Sequence, residues 1–205
     1  MRVSGAAVLG CLLLAITAVD AFAGHDAVLP QLRSRACAAL AHHALHCVDG
    51  SIVTPPRIAA AAAADPSDGA LVDRARIAEN DTVALDVISY MSDGLIVGGL
   101  LCQGRDAGRR STVIHVPGGV GGVFEAAAGD LVQACIDWAA LHGRTAFAPS
   151  LRGQDGGQGR TELCLGEADD VVAAAIMLRG LEVVDASRMA LVGGSIGGCV
   201  ALRAA

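Results

Sequence analysis

Gly193-Gly194-Ser195-Ile196-Gly197-Gly198 directly follows the apolar run Met189 to Val192 and directly precedes the helix-compatible Cys199-Val200-Ala201-Leu202. A sharp strand-to-helix turn holds its central residue in a strained backbone conformation, so the residues two positions to either side must carry minimal side chains. Gly193 and Gly197 meet that need. Such a turn lifts the Ser195 hydroxyl above the end of a sheet, at the N-terminus of a helix. There the dipole and the free N–H groups favour negative charge developing on an oxygen. The chemistry on offer is nucleophilic attack by a serine. The plainer alternative is a glycine-rich turn with an incidental serine.

A serine needs elements to hold it, and these are legible. Val83, Leu85, Val87 and Ser89 alternate as on one face of a strand, and a second run, Leu95 to Leu101, follows the turn Ser92-Asp93-Gly94. Together they predict a hairpin. Three short apolar strands come next, at Thr112 to Val116, Thr145 to Ala148 and Met189 to Val192. Helical stretches separate them. Leu131, Ala134, Cys135, Trp138 and Leu141 recur at helical spacing, with Gly143 placed to end that helix. Glu167, Asp169 and Asp170 sit at the favourable N-terminal end of the next, with Val171, Ala174, Ala175 and Leu178 inward and Gly180 as its stop. Strands alternating with helices predict an α/β fold, a mostly parallel sheet with helices on both faces.

Composition narrows the functions. The net charge is −6 with the signs interspersed, so no basic stripe exists to follow a nucleic acid backbone. All 15 basic residues are Arg, which excludes a P-loop lysine, a Schiff-base lysine and a Ser-Lys dyad. No Cys-x-x-Cys pair occurs, and neither a metal site nor a cofactor is expected. Arg2, the apolar run Ala6 to Val19 and the small-x-small site Ala21-Phe22-Ala23 read as a secretory signal cleaved before Gly24. The run is short of the roughly 20 apolar residues that span a bilayer, so no stable membrane insertion is expected after cleavage. An exported, periplasmic or secreted protein could then pair some of its six remaining cysteines; for Cys37 and Cys47, a local disulfide and two unpaired thiols are equally open.

Residues 184–198 resemble the nucleophile region of α/β-hydrolases, above all the prolyl oligopeptidase and dienelactone hydrolase-like groups. Three upstream segments agree in order and spacing. Ser89-Tyr90-Met91-Ser92-Asp93-Gly94-Leu95 resembles their early hairpin, Pro117-Gly118-Gly119-Val120-Gly121-Gly122 their glycine loop, and Pro149-Ser150-Leu151-Arg152-Gly153 their Pro-x-x-Arg-Gly loop. The glycine loop departs from the usual His-Gly-Gly, because Val116-Pro117 separates His115 from Gly118. The resemblance implies Ser195 as catalytic nucleophile, the backbone N–H groups of Ile196 and Gly119 as oxyanion hole, and a small ester or peptide as substrate.

It also implies a triad in the order Ser, acid, His, yet neither an acid nor a histidine follows Ser195. His115 reads as a strand-end residue, Asp155, Asp169 and Asp170 as a solvated loop and a helix start, and Arg152 as an ion-pair partner that pins its loop. The expected organisation is a signal peptide (1–23), an Ala-rich helical extension (24–80) and the N-terminal part of an α/β-hydrolase domain (81–205). A fragment of a longer enzyme, inactive on its own, is the favoured expectation; a secreted non-catalytic binding module on the same scaffold is the alternative.

Overall fold

The computed structural model describes residues 25–40, 47, 67–106, 108–125 and 130–205. The signal segment and the Ala59 to Ala64 run lie outside the described residues. Helix α1 (His25–Leu40) comes first, followed by strands β1 (Leu71–Glu79), β2 (Val83–Ser92), β3 (Leu95–Gly104) and β4 (Arg110–Val116). Helix α2 (Leu131–Ala140), β5 (Thr145–Ser150), α3 (Gly166–Arg179), β6 (Val184–Gly193) and α4 (Ile196–Ala204) complete the order.

The six strands form one sheet in the order β1-β2-β3-β5-β4-β6. The hairpin β2–β3 forms where the sequence predicts it. Asp93 (φ 49°) and Gly94 (φ 73°) turn it in the left-handed region that two-residue hairpin loops require. β1, β2, β3 and β5 pair antiparallel in succession, whereas β4 pairs parallel with both β5 and β6. The sheet is therefore mixed, with β2, β5, β4 and β6 running one way and β1 and β3 the other. Its parallel part coincides with the helical crossovers.

Helices cover both faces. On one, α1 and α2 send Leu32, Ala36, Leu131, Val132, Cys135 and Ala139 onto Leu85, Val87, Leu100, Ala146 and Ala148. On the other, α3 and α4 pack Val171, Ala174, Leu178 and Val200 against Ile88, Leu101, Ile114 and Phe147. Phe147 meets Tyr90 edge-on at 5.9 Å, the two largest fully buried side chains among the described residues.

One boundary needs correction. β1 lies inside the segment 24–80 expected to be a helical extension, so the sheet begins at Leu71 and not at 81. Leu71-Val72-Asp73-Arg74-Ala75-Arg76 does not read as a buried strand because its charges are neutralised by a partner remote in sequence. Arg74 and Arg76 both donate to Asp86 of β2, which is buried and also accepts from Gln103 Nε2 at 2.9 Å. The helical part of the extension among the described residues is α1.

Candidate active site

Ser195 stands between the end of β6 and the start of α4, exposed, with φ 55° and ψ −129°. That region is open to glycine and costs any other residue of order 1–3 kcal/mol, so the surrounding structure must impose it. The two flanking glycines show how. A Cβ on Gly197 would stand 2.5 Å from the carbonyl oxygens of both Val116 and Pro117, and one on Gly193 would overlap the Gly197 carbonyl. The turn is thus pressed against the end of β4. Backbone contacts this close admit no side chain at either position. As the first residue of α4, Ile196 carries an N–H that the helix leaves without a partner.

The glycine loop after β4 lies beside this turn. A Cβ built on Gly118 would be 3.1 Å from the Gly194 carbonyl oxygen and 3.7 Å from the Ser195 Cβ. Gly119 follows in a left-handed conformation (φ 84°) with open space around it. The structure therefore brings Ser195, Ile196 and the 118–119 segment together at one end of the sheet. His115 is the penultimate residue of β4, paired in register with Val192, and its Nδ1 is buried without a hydrogen-bond partner. Burial pushes its pKa down, so the ring is neutral near pH 7.

The acidic residues meet expectation only in part. Asp169 is exposed, but Asp155 and Asp170 are buried and belong to no solvated surface. Asp170 accepts from the backbone N–H of Arg152 at 2.7 Å, from Arg152 Nη2 at 3.0 Å and from Ser92 Oγ at 2.6 Å. Arg152 also faces Asp93 (3.5 Å) and Glu162 (3.7 Å), so it pins its loop to the hairpin turn and to α3. Asp155 accepts from Ser150 Oγ and from the Val123 N–H. Burial raises its pKa, and these two hydrogen bonds oppose the rise. Asp169 and Asp170 lie in the first turns of α3 as expected, though Asp170 is buried. Asp155 departs from the expected solvated loop, because flanking glycines look solvated until the loops that cover them are known.

Sequence reasoning also left two cysteine pairs unassigned. Cys37 is joined to Cys47, Cys102 of β3 to Cys135 of α2, and Cys164 to Cys199, with Cα separations of 5.5, 5.7 and 6.0 Å. The last ties the loop before α3 to the helix that Ser195 begins. Leu163 and Cys164 both have positive φ there, and Glu167 Oε1 holds the turn by accepting from the N–H groups of Glu162 and Leu163. No spacing rule identifies these pairs.

The acetyl xylan esterase of Paenibacillus sp. R4 superposes with a TM-score of 0.51 over 86% of this chain and 60% of its own, at 20% identity. The fold is that of the α/β-hydrolases. Acetyl xylan esterase 1 of Thermoanaerobacterium sp. JW/SL YS485 shares this α/β-hydrolase fold at TM-score 0.50 and 19% identity, over 62% of this chain and 45% of its own. In sequence, 123 residues (60% of the chain) are 30% identical to YtmA, an uncharacterised peptidase of Bacillus subtilis (strain 168). The chain spans 46% of that relative's length. No family model matches.

Proposed function

We propose that the protein is a serine hydrolase that cleaves an ester or peptide bond through an acyl-enzyme at Ser195. The observation that carries this reading is the backbone of Ser195, an exposed serine held at φ 55° between two obligatory glycines at the head of a helix. The Ser195 Oγ attacks the substrate carbonyl carbon, the oxyanion is held by the N–H groups of Ile196 and Gly119, and the C–O or C–N bond breaks as the leaving group takes up the proton. Water then releases the acid and regenerates the serine. The esterase and peptidase names of the similar proteins support hydrolysis and leave both bond types in play.

A fluorophosphonate probe applied to the full-length protein should label Ser195, and Ser195→Ala should lose all labelling. Undiminished labelling of the variant sinks the assignment, and a wild type that never labels favours the binding module.

We also propose export with removal of residues 1–23. Three cysteine pairs in bonding geometry support an oxidising compartment. N-terminal sequencing of the secreted or periplasmic product should begin near Gly24; an unprocessed cytoplasmic product contradicts this.

A further inference from the structure

The glycine loop beside Ser195 has almost nothing of its own to hold it. Gly118-Gly119-Val120-Gly121-Gly122 offers one side chain beyond hydrogen, and Val120 is exposed. Two of its glycines, Gly119 (φ 84°) and Gly122 (φ 99°), occupy conformations that any chain can leave readily unless something outside fixes them. An N–H donor on so mobile a backbone loses much of its catalytic value, since stabilising an oxyanion depends on donors already in place.

Asp155 supplies the missing anchor. Its Oδ2 accepts from the Val123 N–H at 2.7 Å, directly after the glycines, and from Ser150 Oγ at the end of β5 at 2.6 Å. The loop is thereby referred to β5, an interior strand of the sheet. Gly122 is packed so closely on this carboxylate that a Cβ there would collide with it. Asp155 is itself held: its side chain is fully buried, its φ is 49°, and the Arg35 guanidinium of α1 approaches Oδ1 at 3.8 Å. α1 also seats Gln31 against Gly156, where a Cβ would come within 2.5 Å of the Gln31 Oε1. The other end of the loop, at Gly118, meets the turn of the serine.

We propose that Asp155 is a positioning residue: through the Val123 amide it fixes the glycine loop as the oxyanion-binding partner of Ser195, an inference that rests on the reading of Ser195 as nucleophile. It touches no reacting atom. Its effect is on the placement of the Gly119 N–H, and a displacement of about 1 Å at such a donor costs up to on the order of 10²-fold in rate.

The test compares Asp155→Ala, Asp155→Asn and Ser150→Ala in the full-length protein, using p-nitrophenyl acetate hydrolysis and amide hydrogen exchange. Asp155→Ala should lower kcat by roughly 10-fold or more with KM within about two-fold, because the lost interaction matters in the transition state. The Val123 amide should lose protection while Ile114 in β4 and Val200 in α4 keep theirs. Asn retains an acceptor for the Val123 N–H and should restore most of kcat. Ser150→Ala, which leaves the carboxylate in place, should fall between and serves as the reading if the alanine variant does not fold. Wild-type kcat in Asp155→Ala, unchanged protection at Val123, or protection lost equally across the sheet overturns the proposal. If Ser195→Ala keeps full activity, the nucleophile reading fails separately, and Val123 exchange still decides whether Asp155 anchors the loop.

Discussion

β5 and β6 flank the same strand, β4, both parallel to it and each carrying a short apolar run, residues 146–148 in β5 and 189–192 in β6, yet they end in opposite environments. All six residues of β5 are buried; of the ten in β6 only Val184 is. β5 has a strand on each side and helices on both faces. β6 is one edge of the described sheet, Val192 is exposed, and a groove of about 550 Å³ runs beside it, lined by Ile114, Val171, Ile176, Met189 and Leu191. Hydrophobic sequence thus specifies a strand without specifying its depth. Depth comes from neighbours, and the turn that carries Ser195 grows from the one of these two strands that has fewer.

The contrast is testable first through stability. Phe147→Ala in β5 should cost about 3–5 kcal/mol, the range for truncating a fully buried aromatic. Val192→Ala in β6, where the side chain is already exposed, should stay within about 0.5 kcal/mol. Urea denaturation of both variants would measure the gap, and equal losses would mean that the edge is covered in solution. Next in size is Gly197→Ala. Its methyl has to push the carbonyls of Val116 and Pro117 away, an overpacking worth about 1–3 kcal/mol. Because that displacement opens the Ser195 turn, probe labelling should fall much more than the melting temperature does.

The smallest effect lies at the start of β6. Hydrogen bonds from Ser187, then from Arg188, hold the half-buried Asp185 carboxylate down to about 2. A depressed carboxylate contributes stability above its unfolded pKa of 3.8, and that contribution is lost as pH falls through about 2. NMR titration of Asp185 should show the low midpoint, and Arg188→Ala should raise it. A midpoint near 3.8 in the wild type would mean that this end of β6 is looser than described.

These regions also separate what a sequence discloses from what it conceals. The turn around Ser195 was legible because its steric demand falls on Gly193 and Gly197, two places away on either side. The hairpin was legible from Asp93-Gly94, since few residue pairs tolerate two left-handed positions. Arg152 was read correctly as a pin for its loop. β1 was missed because Arg74 and Arg76 make it look solvated, and the carboxylate that neutralises them lies in the next strand. Asp155 was placed in water because its partner at Val123 is 32 residues away. Requirements written within a few residues can be read directly; burial of a charge is a property of the assembled loops.

The Cys164–Cys199 disulfide has a topological consequence. With a sequence separation of 35, it closes a covalent ring that contains all of α3, all of β6 and Ser195 itself. A single proteolytic cut anywhere on that ring cannot release the serine from the loop before α3, because both pieces stay joined through sulfur. Reduction opens the ring and removes that safeguard, so resistance to nicking around Ser195 becomes a property of the compartment as well as of the chain.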